Sequence, residues 1–150
     1  MAQRGANAPV VVVTREVPGA MDVPGAEVRL GPAGSLAREQ LLDLVRGADV
    51  IVSMFHDKVD AALLDAAGPR VRGVVNFAVG YDNIDVAECR RRGIAVANTP
   101  DAVTEGTANM AWALILAVAR RVLEGDAYVR SGRVGAEGPL PVTAFLGVHL

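Results

Sequence analysis

A parallel α/β sheet covered by helices is the fold class this sequence predicts, on three observations. Short apolar runs rich in β-branched residues recur up to residue 97, among them Val10–Val13, Val50-Ile51-Val52 and Gly73–Phe77. Such continuous runs are the mark of strands buried on both faces, where alternating ones would mark a half-exposed sheet. Segments with helical spacing and Gly or Pro stop signals separate them, and strand and helix alternate four times with short connections.

Val10–Val13 is the first strand, and Glu27–Leu30 is a weaker strand candidate between two Gly/Pro-rich loops. Ser35 can cap a helix over 36–46, with Leu41, Leu42 and Val45 on one face and Gly47 as terminator. Val50–Val52 comes next as a strand. Asp57 or Asp60 can cap a helix through Ala67, which Gly68-Pro69 ends. Gly73–Phe77 reads as a strand, 86–92 as a helix stopped by Gly93, and Ile94–Ala97 as a strand. After Asn98-Thr99-Pro100 the character changes. Thr104 can cap one long Ala-rich helix over 105–130, roughly 39 Å at ~1.5 Å per residue. Met110, Leu114, Val118 and Val122 recur every four residues along it, with Ala111, Ile115 and Ala119 widening the stripe. A helix of that length suggests a segment that leaves one domain and packs on another or on a second subunit. Residues 132–141 read as loop, and Thr143–Leu150 begins a new apolar segment.

The 150 residues are enough for a domain with a proper core, and 51% apolar with 21% charged residues argues for a folded chain. A net charge of −2 leaves no electrostatic footprint for nucleic acid or an anionic membrane. Arg90-Arg91-Arg92 closes a predicted helix, where cations complement the helix dipole. Fourteen of the fifteen basic residues are Arg, Lys58 being the exception, a bias that identifies no partner. The single Cys89 excludes an internal disulfide and sits inside a predicted helix, which suits packing and a reducing cytoplasm. The N-terminus lacks the apolar core of a signal peptide, and the longest apolar run, 110–119, is too short to span a membrane.

The most informative stretch is Asn76-Phe77-Ala78-Val79-Gly80-Tyr81-Asp82-Asn83-Ile84-Asp85. It leaves the carboxyl end of a strand, where ligands sit in parallel α/β sheets. A Gly there lets backbone N–H groups approach a ligand, and a carboxylate would suit them. The same residues also fit a plain strand–turn–helix connection that needs Gly for φ > 0. His56, just after Ser53-Met54, lies at the same presumed edge, as a ligand contact or as a loop histidine. No G-x-G-x-x-G turn occurs. Gly132, Gly135 and Gly138 are three apart, in a loop with no strand before it. Neither His56 nor His149 has a nucleophile or metal-ligand pattern around it.

Three blocks in order carry a resemblance: residues 76–85, then Arg92-Gly93-Ile94-Ala95-Val96-Ala97-Asn98-Thr99-Pro100, then Thr104-Glu105-Gly106-Thr107-Ala108. Together they resemble the D-isomer-specific 2-hydroxyacid dehydrogenases, and within that family the glyoxylate/hydroxypyruvate reductases. The resemblance runs from about Val10 onward. It implies a flavodoxin-like substrate-binding domain over 9–104, an interdomain and dimerisation helix over 105–130, and the start of a Rossmann nucleotide domain over 131–150. It implies hydride transfer between NAD or NADP and a small 2-keto or 2-hydroxy acid, in a cytoplasmic homodimer. The N–H groups of Val79 and Gly80 would hold the substrate carboxylate. The loop Met54-Phe55-His56-Asp57 would line the pocket, and Thr107 would face the cofactor. Family members often carry a small hydroxyl residue where His56 stands.

A larger departure from the family pattern lies at the carboxyl end. In this family the Gly-rich cofactor turn comes shortly after a segment like Phe145–Leu150, and the catalytic Arg, Glu and His come later still. His149 therefore is not the catalytic imidazole, and the 150 residues are expected to be an N-terminal fragment that is inactive alone. The alternative from another class is a non-catalytic flavodoxin-like binding or interaction module. A receiver-type module would need an acidic pair after the first strand, where Thr14-Arg15-Glu16 supplies one acid. A flavin module would need a Ser/Thr/Gly-rich loop there, and Val17-Pro18-Gly19 is a poor version. A third reading, a family fold used for protein interaction as in transcriptional corepressors, finds no support in the residues.

Overall fold

The apolar runs become the strands of one sheet. In the computed structural model, which describes residues 8–19 and 21–138, the strands are β1 (Val10–Val13), β2 (Glu27–Leu30), β3 (Val50–Ser53), β4 (Gly73–Asn76) and β5 (Ala95–Ala97). All are parallel, in the order β2-β1-β3-β4-β5, the flavodoxin-like arrangement. The register sets Val11 beside Val50, Val13 beside Val52 and Ser53 beside Asn76. Helices α1 (Arg38–Leu44), α2 (Ala61–Ala67) and α3 (Val86–Arg91) lie in the crossovers β2–β3, β3–β4 and β4–β5. All three crossovers step in the same direction across the sheet, so right-handed connections put all three helices on one face.

The side chains bear this out. Val10, Val12, Ile51 and Val74 face Leu41, Val45, Leu63, Leu64 and Cys89 in one buried cluster. The alternate positions Val11, Val13 and Val52, with Met54, form a second cluster with Val17, Met21, Ala26 and Val28 from the β1–β2 connection and β2. Each fully buried aliphatic side chain stabilises by about 1.5–3 kcal/mol, and Val12, Val13, Ile51 and Val74 are completely buried. Cys89 is wholly buried, and desolvation raises its thiol pKa, with Asp85 adding to the rise. It packs in the core, as its helical position suggests.

Several boundaries differ from expectation for identifiable reasons. Ser35 does not cap α1. The helix begins later, after Ala37, whose N–H donates to Gln40 Oε1 at 3.0 Å. Of the two candidate caps for α2, Asp60 accepts from Leu63 N–H at 3.1 Å, while Asp57 turns back to the β3 loop. Phe77 and Ile94 lie just outside β4 and β5. The chain divides into two compact units, Met1–Pro100 and Asp101–Leu150.

In the second unit the single long helix is not found. It is broken into α4 (Thr104–Ala119) and α5 (Val122–Arg130), because Arg121 takes a left-handed conformation with φ 55° and ψ 38°. No Thr104 side-chain cap forms either, Val103 being the N-cap residue. Within the expected 132–141 loop, Arg133–Glu137 makes one more short helix, α6. Tyr128 is buried there, its hydroxyl donating to Gly138 O at 2.6 Å and the Arg133 guanidinium lying 4.9 Å from its ring centre. The apolar segment Thr143–Leu150 and His149 fall outside the described residues.

Candidate functional site

Three apolar strands end in a buried polar residue at the carboxyl edge of the sheet: Thr14 after β1, Ser53 on β3 and Asn76 on β4. Polar groups that far inside must be paired, and their partners tie the loops together. Ser53 Oγ donates to Asn76 Oδ1 at 2.9 Å. Asn76 Nδ2 donates to Gly80 O at 2.7 Å and Asn83 Oδ1 at 2.9 Å. Asn83 Nδ2 in turn reaches Met54 O at 3.0 Å and Asp57 O at 2.9 Å, clamping the β3 loop to the β4 loop. The buried Asp57 carboxylate accepts from Thr14 Oγ1 and, at 2.8 Å, from Met54 N–H. Among the described residues no buried side-chain polar atom lacks a partner.

The stretch 78–80 is held by its carbonyls. Ala78 O accepts from Thr99 N–H at 3.0 Å, Val79 O from Asn98 Nδ2 at 2.8 Å, and Gly80 O from Asn76 Nδ2 at 2.7 Å. The peptides are trans, so each N–H points opposite to the carbonyl of the same peptide plane. With the carbonyls of Ala78 and Val79 anchored, the N–H groups of Val79 and Gly80 turn to the other side. There they have no hydrogen-bond partner among the described residues.

Gly80 has no structural reason of its own to be glycine. Its φ is not in the left-handed region, and an added Cβ would meet nothing nearer than Asp82 Oδ2 at 3.9 Å. The expectation of a turn that needs φ > 0 is therefore not met. Gly31 is the contrast, since a Cβ there would lie 2.1 Å from Thr14 O. Val79 and Gly80 are exposed, and two adjacent amides without a partner are donors of the kind a carboxylate accepts from.

Of the β3 loop, Phe55 and His56 are exposed, their rings edge to face at 5.0 Å between centroids. Met54 differs from the expectation of a pocket-lining side chain. It is buried with Val11, Val13 and Val52, so only its backbone belongs to the loop. Thr107 lies in the first turn of α4, its N–H bonded to Val103 O at 2.8 Å, in a shallow apolar groove with Ala102, Gly106 and Met110. Among the described residues no group of His, Cys, Asp or Glu side chains could hold a metal ion, and no helix is long and apolar enough to cross a membrane. Sequence reasoning gave no holding role to Thr14, Asp57, Asn76, Asn83 and Asn98, although Asp57 stood in the expected pocket loop and the three asparagines in the quoted motif blocks. A polar residue closing an otherwise apolar strand was the signal available for Thr14 and Asn76.

The model of the D-isomer specific 2-hydroxyacid dehydrogenase catalytic domain matches residues 11–136. This chain belongs to that family. Among dehydrogenase relatives, glyoxylate reductase of Thermococcus kodakarensis is 48% identical over 128 residues, which are 83% of this chain and 38% of the reductase. A crystal structure from Thermus thermophilus superposes with a TM-score of 0.73 at 38% identity, covering 82% of this chain and 40% of that one. The NADPH-dependent glyoxylate/hydroxypyruvate reductase of Sinorhizobium meliloti, solved with NADP and malonate, gives 0.65 at 29% identity, covering 90% and 42%. The chain thus spans about two-fifths of the length of these relatives.

Proposed function

We propose that this chain forms the substrate-carboxylate part of an NAD(P)-dependent oxidoreductase. The reaction is reduction of a small 2-keto acid of the glyoxylate/hydroxypyruvate type to the 2-hydroxy acid by hydride transfer. One observation carries the reading: Val79 and Gly80 present unpaired N–H groups because the carbonyls behind them are anchored to Thr99 and Asn98. Donors fixed before the ligand arrives cost no reorganisation when a carboxylate binds. Phe55 and His56 line the adjoining wall, with Met54 contributing backbone. The glyoxylate reductase relatives and the reductase solved with NADP and malonate support the substrate class.

In this reading residues 9–104 are the substrate domain, 105–130 serve domain and dimer contacts, and 131–150 open a nucleotide domain, in a cytoplasmic homodimer. Thr107 and the groove of α4 offer a cofactor one hydroxyl and an apolar wall. The 150 residues contain no Gly-rich strand–helix turn for a pyrophosphate, so alone they do not fit a whole dinucleotide.

The structure makes Gly80→Val a clean test, since neither φ nor internal space forbids the side chain. Each amide–carboxylate hydrogen bond contributes on the order of 1.5–3 kcal/mol. Titrating the labelled chain with glyoxylate should shift the Val79 and Gly80 amide resonances first and most. Gly80→Val should abolish that response while the remaining spectrum keeps its dispersion. Equal binding by parent and variant would reduce the loop to a connection.

A further inference from the structure

Glycine has the most backbone freedom to lose, so an exposed glycine is a poor donor site unless something holds it. Two soft dihedrals separate the peptide plane before a residue from the plane after it. At Gly80 both planes are tied. The plane before it is held through Val79 O, which accepts from Asn98 Nδ2 at 2.8 Å in contact with solvent. The plane after it is held from the interior through Gly80 O, which accepts from Asn76 Nδ2 at 2.7 Å. Gly34 shows the contrast. It is exposed as well, and an added Cβ there would meet nothing within 4 Å. Only the plane before it is held, by Arg15 Nε on Ala33 O at 2.8 Å, and Gly34 O has no partner among the described residues.

Asn76 can serve as a fixed point because its own amide has one orientation. It is completely buried. Its Oδ1 accepts from Ser53 Oγ at 2.9 Å and from Asn83 Nδ2 at 3.2 Å. Its Nδ2 donates to Gly80 O and, at 2.9 Å, to Asn83 Oδ1. Turning the amide over would set an acceptor against Gly80 O and a donor against Asn83 Nδ2. Asn83 is kept from turning with it, because its Nδ2 is held by Met54 O and Asp57 O at 3.0 and 2.9 Å. Ser53 stands beside Asn76 in the register of β3 and β4, so the support comes from the strands themselves.

We infer that Asn76 is a positioning residue for the carboxylate site, acting through Gly80 O to hold the Val79–Tyr81 backbone in its binding conformation before a ligand arrives. The inference rests on the carboxylate reading above. Of the two ties on Gly80, the one from Asn98 competes with water and the one from Asn76 is the firmer. Being completely buried, Asn76 does not itself meet the acid.

The test reads the backbone with and without ligand. In the labelled full chain without ligand, the Gly80 amide should have an order parameter near that of rigid backbone, ~0.85, and above that of Gly34. Asn76→Asp keeps nearly the same shape and an acceptor for Ser53 and Asn83, and removes both donors. It should lower the Gly80 order parameter and weaken glyoxylate roughly three- to tenfold, titrated through the Val79 and Gly80 amides. The core resonances of Ile51 and Val74 should stay in place. Ser53→Ala, which removes only the hydroxyl behind Asn76, should act in the same direction by a smaller step and carries the test should Asn76→Asp fail to fold. A parent Gly80 amide no more ordered than Gly34 would overturn the role of Asn76 and leave the carboxylate site standing. Folded variants with unchanged Gly80 order and unchanged glyoxylate affinity would do the same. No response of the parent's Val79 and Gly80 amides to glyoxylate would overturn the carboxylate site, and the inference with it.

Discussion

The residues that matter most for the candidate site are the ones that touch no ligand. Asn76 and Asn83 each spend both ends of their amide on loop carbonyls or on each other, which makes the β3 and β4 loops one body. At the other edge of the sheet Asp49 plays the corresponding part for β1. Its buried carboxylate accepts from Val10 N–H at 2.8 Å and from Arg70 Nη2 at 2.6 Å. The Val10 hydrogen bond is the main reason its pKa is held below the usual carboxylate range, with Arg70 helping and burial opposing. A carboxyl with a depressed folded pKa stabilises fully above its unfolded value, about 4, and that contribution is lost as pH falls through the folded value. Acid unfolding should therefore be less steep below about pH 4 in Asp49→Asn than in the parent. Asp49→Ala should cost about 1–3 kcal/mol at neutral pH by leaving the Val10 N–H buried and unpaired. Chemical denaturation at neutral and acid pH measures both, and parallel pH profiles for parent and Asn variant would contradict the assignment. At this scale the 76–85 stretch was legible as a loop leaving the carboxyl end of a strand, with a Gly soon after the strand end. Its direction of presentation was not, since that depends on Thr99 and Asn98, which arrive from β5 only in the folded chain.

At the scale of elements, the inner strands β1, β3 and β4 were legible because each is a valine-rich run, and burial on both sides demands that pattern, while the exposed edge strand β2, Glu27-Val28-Arg29-Leu30, gave only a weak signal. The helix caps were legible only in part. Asp57 and Asp60 are chemically equivalent candidates, and the choice between them was decided by Thr14, far away in sequence. The α4–α5 break was hidden for a different reason. Arg120-Arg121 has ordinary helix propensity, and neither Gly nor Pro marks the position. Yet Arg121 is left-handed, with Arg121 N–H on Val118 O at 3.1 Å and Gly125 N–H on Arg121 O at 2.9 Å. A side chain in that conformation costs roughly 1–2 kcal/mol that glycine does not. Its exposed pair with Glu124 returns less than ~1 kcal/mol. Arg121→Gly should therefore leave stability unchanged or raise it by up to about 1 kcal/mol, and Arg121→Val should lower it by about as much. Amide exchange across 116–125 reads this directly. Strong destabilisation by glycine would mean that the two helices are one.

For the whole molecule, the question the sequence leaves open is what a helix such as α4 is for. It has no buried residue, and Met110, Trp112, Leu114, Ile115, Leu116 and Val118 are all exposed. A helix apolar on every side belongs in an interior, and a contiguous exposed surface of this kind marks an interaction site. Each such side chain gains about 1.5–3 kcal/mol on full burial, so several together favour association strongly. A twofold pairing that sets the same face of two chains against each other is the simplest closed way to cover it. The chain should therefore sediment as a dimer or larger species in dilute solution. Replacing Leu114 and Val118 together by Glu should shift it towards monomer, because two buried carboxylates per chain would face each other across the contact. The β1–β5 sheet contains neither position, so its circular dichroism and amide dispersion should survive the change. A parent chain that sediments cleanly as a monomer would show that α4 is covered within its own molecule, and the twofold contact would be wrong.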